Sequence, residues 1–341
     1  MTRKAFICLM VLAFGVAVFG MAASKTHAAT VQLTYSNFFP PTHFNQQLAE
    51  SWGKEIEKRT KGAVKFTYFP GGALLKGPEM YDGVMKGVSD VGMSLFAYTA
   101  GRFPSMEALD LPIGYPNGYT ATMVANDFYK KYKPKELEGV KVLYLHAHGP
   151  GLLHSKKEVT KLEDVKGLKI RCTGFSAKAA AALGGVPVAM GQGGAYEALQ
   201  KGVVEATLSP MEVLKGWKQG EVIKYTVECY GVGYTTAMYV IMNEKKWNSL
   251  PKDVQRVFED VSAEWIPKHA KGWDVADDEG RKFTLSLGNK IIPLSDGENK
   301  LWAYQVRPVI DEYAGVLEGK GLPGKEYILF IRENIEKYGK K

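Results

Sequence analysis

The chain has 341 residues, of which 45% are hydrophobic and 23% are charged, with a formal net charge of +8. This length is sufficient for two lobes or one large domain, and the composition excludes collagen-like, disordered and repetitive classes. Basic and acidic residues are interspersed, without a basic stripe that alternates with aromatic residues, so we expect no nucleic-acid partner.

The N-terminus has the layout of a secretory signal peptide. Arg3 and Lys4 precede an almost uncharged apolar run over residues 5–23, and small residues follow at Ala28 and Ala29. Because the run is close to the minimum length that crosses a membrane, an uncleaved anchor is the alternative. We expect residues 1–29 to be removed and the mature protein to be periplasmic.

The segment after residue 30 alternates between strand and helix patterns. Val31, Leu33 and Tyr35 alternate as in a strand, and Thr42 is a suitable N-cap for the helix that follows. Strand ends in such a lobe meet at one edge, where α/β proteins bind ligands. The candidates at these ends are Asn37, Phe38, Ser94, Phe96 and Tyr98.

Two residue pairs offer chemistry that we weigh against simpler roles. His146 and His148 are spaced for one strand face, but no third ligand is nearby, so we expect a structural role and neither a metal nor another cofactor. Cys172 and Cys229 could form a disulfide in an oxidising compartment. Both lie in apolar strand-like runs, which favours buried free thiols.

The stretch from Gly167 to Pro210 predicts a series of β-α units with an arginine at a strand end. Arg171 is suited to hold a carboxylate through two parallel N–H bonds, although a surface arginine is the alternative. Gly191, Gly193 and Gly194 do not form a dinucleotide fingerprint, since Tyr196 occupies the last glycine position. The pattern indicates a ligand site at this sheet edge.

The remaining segments predict the connections between two lobes. Glycine-rich turns at 149–151 and 231–233 suit crossings, and a helical pattern from Pro251 to about Leu287 is long enough to bridge both lobes. A core helix broken near Pro267 is the alternative. We expect lobe I over 30–149 and 234–275, and lobe II over 150–233 and 276–341.

Several segments resemble the solute receptors of tripartite ATP-independent periplasmic (TRAP) transporters, the DctP family. Residues 162–171, LEDVKGLKIR, resemble the family's D-x-K-G-L-K-x-R segment, and residues 196–205, YEALQKGVVE, resemble its Y-x-A-L-Q-x-G-V-V-D run. The resemblance implies an α/β, two-lobed periplasmic-binding-protein fold with a long helix spanning both lobes. It also implies that Arg171 binds the carboxylate of the ligand.

Two departures from the family pattern bear on the ligand. Ser209 stands where relatives often have an asparagine, and the turn at 149–151 replaces a second arginine of sialic-acid-binding members. The resemblance therefore implies a small organic acid, aromatic or 2-oxo, in place of a polyhydroxylated one. We expect three groups of residues to line the site with Arg171. Lobe II contributes Gln192, Ser209 and Tyr196, lobe I contributes the five strand-end candidates, and the hinge side contributes Tyr234 and Thr235.

The resemblance implies a monomeric receptor, not an enzyme, that delivers the acid to a TRAP membrane permease. A ligand-sensing subunit of a signalling system, a C4-dicarboxylate receptor and a receptor for an ATP-driven transporter are the alternatives. A periplasmic enzyme would need a nucleophile with a base, or metal ligands, converging on the cleft, and the sequence contains no such motif.

Overall fold

The computed structural model describes residues 30–340, so the predicted signal peptide over 1–29 lies outside the described residues. The strands in this part are β1 (Val31–Asn37), β2 (Val64–Phe69), β3 (Val91–Leu95), β4 (Val140–Ala147), β5 (Leu152–Ser155), β6 (Lys169–Cys172), β7 (Val186–Ala189), β8 (Ala206–Ser209), β9 (Tyr225–Glu228), β10 (Ala237–Asn243) and β11 (Lys290–Pro293). The α-helices are α1 (Phe44–Arg59), α2 (Met80–Met85), α3 (Pro104–Glu107), α4 (Gly118–Tyr132), α5 (Phe175–Ala182), α6 (Ala195–Gln200), α7 (Val213–Gly216), α8 (Glu244–Ser249), α9 (Lys252–Ser286), α10 (Asp296–Gly319) and α11 (Gly324–Gly339).

Two mixed sheets define two lobes, as the α/β fold class predicts. The sheet of lobe I has the order β2-β1-β3-β10-β4, in which β1, β2 and β3 are parallel and β10 is antiparallel to both neighbours. The sheet of lobe II has the order β11-β9-β5-β8-β6-β7, with β5 antiparallel to β8 and β9. The chain passes between the sheets at 148–151 and at 229–236.

Helix α9 joins the two lobes along their length. Its 35 residues are continuous through Pro267, so the alternative of a broken helix is wrong. The helix contacts α1, α4 and β4 of lobe I and then α7 and β11 of lobe II. The predicted spanning helix is therefore confirmed.

The start of α1 differs from the prediction in a way that matters for the site. The N-cap is His43 and not Thr42, because the Nδ1 atom of His43 accepts the backbone N–H of Asn45 at 3.2 Å. Helix α1 then buries Trp52 and Ile56 against the sheet of lobe I. The cap places an imidazole, in place of a small hydroxyl, at the lobe interface.

The C-terminal helix requires a correction to the predicted lobes. We assigned 276–341 wholly to lobe II, but α11 packs against α4 of lobe I. Tyr327 places its ring 4.9 Å from Phe128 and 4.6 Å from Tyr132, measured between ring centroids. The apolar face of α11 predicted a packed helix, yet helical periodicity does not say which lobe the face covers.

Two buried imidazoles stack in lobe I. The His146 and His269 rings lie 3.7 Å apart, and Trp273 donates its indole N–H to His146 Nδ1 at 3.1 Å. Burial lowers the pKa of His146 well below its ordinary value and lowers the pKa of His269 to about 3. These residues are packed, neutral core groups, which agrees with the structural role that we expected for His146.

Cys172 and Cys229 are both buried and unbridged in the core of lobe II, which agrees with the favoured interpretation of free thiols. Between residues 30 and 340, no helix combines the length and the apolar character needed to cross a membrane.

Candidate ligand-binding site

A cavity lies between the lobes, where the ends of β1 and β3 face the ends of β6 and β8. It is lined by Phe38, Phe39, Leu95, Tyr98, His148, Arg171, Thr173, Gln192, Ser209, Pro210, Glu212, Val213, Trp217, Tyr234, Thr236, Met238 and Trp273. Ligand sites of small molecules have this combination of apolar walls and a few polar groups.

Arg171 is a buried cation without an acidic partner in residues 30–340. Its Nε and Nη2 atoms donate to the backbone oxygen of Met190 at 3.1 and 2.9 Å, and Nη1 donates to Ser209 Oγ at 3.2 Å. These bonds use three of the five N–H groups of a guanidinium and leave one on each terminal nitrogen. Burial lowers the pKa of Arg171, since a desolvated charge is costly.

The neighbours of Arg171 are neutral. Burial and then the charge of Arg171 lower the pKa of His148 to about 4, despite a hydrogen bond to the Gly149 oxygen. Behind the site, His154 Nε2 donates to the backbone oxygens of Ser209 and Pro210 at 3.1 and 3.2 Å. Arg171 is therefore the positively charged residue among those that line the cavity.

Gln192 and Tyr98 connect the lobes across the cavity. The backbone N–H of Gln192 donates to the Tyr98 hydroxyl at 3.1 Å, and the side-chain Nε2 of Gln192 is buried without a partner in the described part of the chain. Gly77 makes room for the tyrosine ring, because a Cβ there would lie 2.5 Å from a ring carbon. The free amide of Gln192 is a further donor beside Arg171.

Several aromatic rings line the cavity and contact one another. Phe38 stacks on Trp217 with ring centroids 6.2 Å apart and meets Tyr98 edge-on at 5.4 Å. Phe39 lies 5.9 Å from Trp217. Trp217 belongs to lobe II but packs against the cores of both lobes, so these contacts also hold the lobes together.

Glu212 is an acid in the same cavity. Its Oε1 lies 2.6 Å from Nε2 of His43, which belongs to the opposite lobe. Its backbone N–H donates to Oδ1 of Asp277 on α9 at 2.8 Å. Glu212 and Arg171 line the same cavity but form no ion pair with one another in residues 30–340.

Residues 35–315 match the model of the family described as bacterial extracellular solute-binding protein, family 7, also called DctP. The chain belongs to this family. The structure is similar to that of a TRAP periplasmic solute-binding protein from Desulfovibrio salexigens, with 33% identity, coverage of 91% of this chain and 97% of the other, and a TM-score of 0.81.

Two further relatives show the range of the family. A TRAP solute-binding protein from Rhodoferax ferrireducens, in complex with copurified benzoate, is 27% identical, covers 91% of this chain and 99% of its own, and superposes with a TM-score of 0.87. The C4-dicarboxylate-binding periplasmic protein DctP of Rhodobacter capsulatus is 28% identical over 84% of this chain and 87% of its own. The chain is therefore a solute receptor of a TRAP transporter, not an enzyme, and the family is periplasmic.

The structure brings six of the eleven predicted site residues of the receptor to the cavity. They are Phe38, Tyr98, Arg171, Gln192, Ser209 and Tyr234. Each follows or ends a strand or lies in a crossing segment, which is the feature that predicted it. The ring of Tyr234 packs directly against the backbone of Gly151. Any other residue at position 151 would place its Cβ 1.8 Å from a ring carbon of Tyr234.

The other five predicted residues do not line the cavity. Tyr196 points away on α6 and donates to Glu221 at 3.1 Å, and Phe96 packs in the core of lobe I at 5.0 Å from the Tyr239 ring. The hydroxyls of Ser94 and Thr235 donate to the backbone oxygens of Gly77 and His148 at 2.8 and 2.6 Å. Asn37 accepts the N–H of Phe39 at 2.9 Å.

These corrections have different causes. Residues 96–99 form a 3₁₀ turn, in which side chains two residues apart point in different directions, so Tyr98 reaches the cavity while Phe96 turns into the core. Asn37, Ser94 and Thr235 support the backbone of the site without facing it.

Sequence reasoning missed Glu212, Trp217 and Phe39 among the cavity residues. Glu212 lies three residues beyond Ser209, the end of β8, and precedes α7. Its place after a strand end is the feature that predicted the other site residues, so the same reasoning could have found it. Trp217 and Phe39 belong to opposite lobes, so no local pattern indicates their contact.

Proposed function

We propose that this receptor binds a small aromatic monocarboxylate, with the carboxylate on Arg171 and the ring between the aromatic side chains. The observation that carries the proposal is a buried guanidinium without an acidic partner that faces a cavity walled by Phe38, Phe39 and Trp217. A buried charge is costly unless it is paired, and a carboxylate can accept the two remaining N–H groups in parallel. The benzoate complex of the Rhodoferax ferrireducens relative supports the same ligand class.

The charges of the cavity distinguish this proposal from a C4-dicarboxylate receptor. A second cation would favour a dicarboxylate, whereas the second charged group that lines the cavity is the acid Glu212. A second carboxylate near Glu212 would be repelled at short range in a water-poor site. The Rhodobacter capsulatus relative is named as a C4-dicarboxylate-binding protein. We therefore infer that the two receptors differ at the part of the cavity that Glu212 lines.

Closure would couple ligand binding to the shape of the receptor. Tyr98 with Gln192 and His43 with Glu212 join the lobes by hydrogen bonds at 3.1 and 2.6 Å. A ligand that contacts both walls favours the closed state, because it has a higher affinity for that state than for the open one. The closed, loaded monomer would then deliver the acid to a TRAP membrane permease.

A ligand screen with a charge-conserving variant tests the proposal. We expect benzoate and phenylacetate to raise the melting temperature of the receptor more than succinate or pyruvate does, because a ligand that binds only the folded state stabilises it. Arg171→Lys should weaken benzoate binding roughly 10-fold or more, since a lysine loses the bidentate geometry. Arg332, exposed on α11, provides the matched control Arg332→Lys.

Two results would contradict the proposal. One is tighter binding of succinate than of any aromatic acid, and the other is equal benzoate affinity in the Arg171→Lys and Arg332→Lys proteins. Delivery is tested separately by uptake of radiolabelled ligand into proteoliposomes that contain the permease. Uptake should require the loaded receptor, and a receptor that binds ligand but supports no uptake would favour a sensory role.

A further inference from the structure

The Glu212 side chain is an acidic group held in a fixed position inside the cavity. Glu212 is 2% exposed, and its Oε1 atom lies 2.6 Å from Nε2 of His43. Because His43 Nδ1 accepts the backbone N–H of Asn45, the ring proton lies on Nε2 and is donated to Glu212. The contact joins a residue of lobe I to a residue of lobe II, so the carboxylate is fixed in the closed receptor.

The second oxygen of Glu212 has no protein donor. Oε2 makes no hydrogen bond to any residue between 30 and 340, although Glu212 is buried and lines the cavity. Oε2 is not one of the buried side-chain atoms that lack a partner, so it is reachable from the cavity and can accept a hydrogen bond from a donor on a ligand. Arg171 does not supply that donor, since its bonds go to Met190 and Ser209.

The two charged side chains are held by different parts of the fold. Arg171 is held by Met190 on the β6–β7 side, and Glu212 is held by His43 at the start of α1 and by Asp277 on α9. The rings of Phe38, Phe39 and Trp217 complete the walls of the same cavity. An aromatic acid on Arg171 would present its ring substituents to the remaining lining.

We infer that Glu212 Oε2 accepts a hydrogen bond from a hydroxyl or amino group on the ring of the ligand. The receptor would then select aromatic monocarboxylates that carry such a donor over unsubstituted or alkoxylated ones. This inference rests on the proposed function, because it assumes that an aromatic carboxylate occupies the cavity.

Calorimetric titration with matched ligands tests the inference. The ligands are benzoate and its 3- and 4-substituted hydroxy, amino and methoxy derivatives, in which the methoxy group has a similar position but no donor. We expect the best hydroxy or amino isomer to bind about 10-fold or more tightly than its methoxy counterpart, because a hydrogen bond to a charged acceptor is worth about that much.

The variant Glu212→Gln should reverse this preference. The glutamine oxygen can keep the bond from His43, which turns the side-chain NH₂ toward the cavity and replaces an acceptor with a donor. The amino ligand should lose affinity and the methoxy ligand should gain it, and a misfolded protein could not produce such a gain. Glu221→Gln, at an exposed acid outside the cavity, is the matched control and should keep the wild-type ranking.

The inference and the proposed function fail in different ways. Equal affinity of hydroxy, amino and methoxy ligands in the wild type, or the same ranking in wild type and Glu212→Gln, would overturn the inference and indicate that water satisfies Oε2. Benzoate binding that requires Arg171 would still support the proposed function in that case. If no aromatic acid binds, the proposed function is wrong and the inference is wrong with it.

Discussion

The two walls of the cavity differ in chemistry. Lobe II contributes Arg171, Gln192, Ser209 and Glu212, whereas lobe I contributes Phe38, Phe39, Leu95 and Tyr98, none of which is charged. We call these sets the polar wall and the aromatic wall. The polar wall can recognise the charge of a ligand, and the aromatic wall can bury its ring.

The difference indicates how binding and closure divide between the lobes. The Arg171 side chain is already held by Met190 and Ser209, so the polar wall is organised for a carboxylate. Aromatic side chains contribute mainly by burying area and excluding water, which requires the second lobe to close. We therefore expect the ligand to bind lobe II first, and lobe I to close over it.

The largest expected effect is on the free energy of unfolding, through the buried His154 behind the polar wall. Burial lowers the pKa of His154 to about 4 in the folded protein, from an ordinary value of 6.5. As the pH falls from 6.5 to 4, the imidazole of residue 154 takes up a proton only in the unfolded chain. The free energy of unfolding therefore falls by about 1.4 kcal/mol per pH unit, or about 3 kcal/mol at pH 4. His154→Gln removes this titration.

Urea unfolding of both proteins between pH 7 and pH 4.5 measures the effect. The free energy of unfolding of the wild type, relative to His154→Gln, should fall steadily below pH 6.5. Parallel pH profiles for the two proteins would show that His154 is not held neutral behind the polar wall.

A smaller effect is expected at the aromatic wall. Phe38→Ala removes a ring that stacks on Trp217 and should raise the dissociation constant of benzoate about 10-fold, while propionate should change less than about 3-fold. Phe330→Ala, on α11 away from the cavity, is the control. An equal loss for both ligands in titration calorimetry would mean that Phe38 supports the site without contacting a ring.

The smallest effect concerns the bond between the walls. Tyr98→Phe removes the hydroxyl that accepts the N–H of Gln192 and should raise the dissociation constant about 3-fold through faster dissociation. Tyr196→Phe removes a hydroxyl that bonds Glu221 outside the cavity and should leave binding unchanged. Stopped-flow rates that change equally in both variants would contradict a closing role for Tyr98.

The polar wall was more accessible to prediction than the aromatic wall. Arg171, Gln192 and Ser209 follow or end strands of one β-α series, and parallel strand ends meet at a common edge whatever the partner lobe does. The prediction that Tyr196 lines the site was wrong, because helix α6 turns its ring toward Glu221. Strand-end position alone does not give the direction of a side chain in the following helix.

Contacts between lobes could not be predicted from local patterns. Glu212 meets His43 across 169 residues of sequence, and Trp217 meets Phe38 and Phe39 from the same distant part of the chain. The placement of α11 on lobe I has the same origin, since an amphipathic pattern shows a buried face but not its partner. The long helix α9 was predictable, because its length exceeds what one lobe can cover.

The central claim is that Arg171 binds the charge of the ligand. Its most direct test is the affinity of benzoate relative to benzamide, a neutral ligand of the same shape, in the wild type and in Arg171→Met. We predict that the wild type prefers benzoate by roughly 100-fold or more and that Arg171→Met reduces this preference to within about 3-fold. A strong preference for benzoate that persists in Arg171→Met would contradict the account.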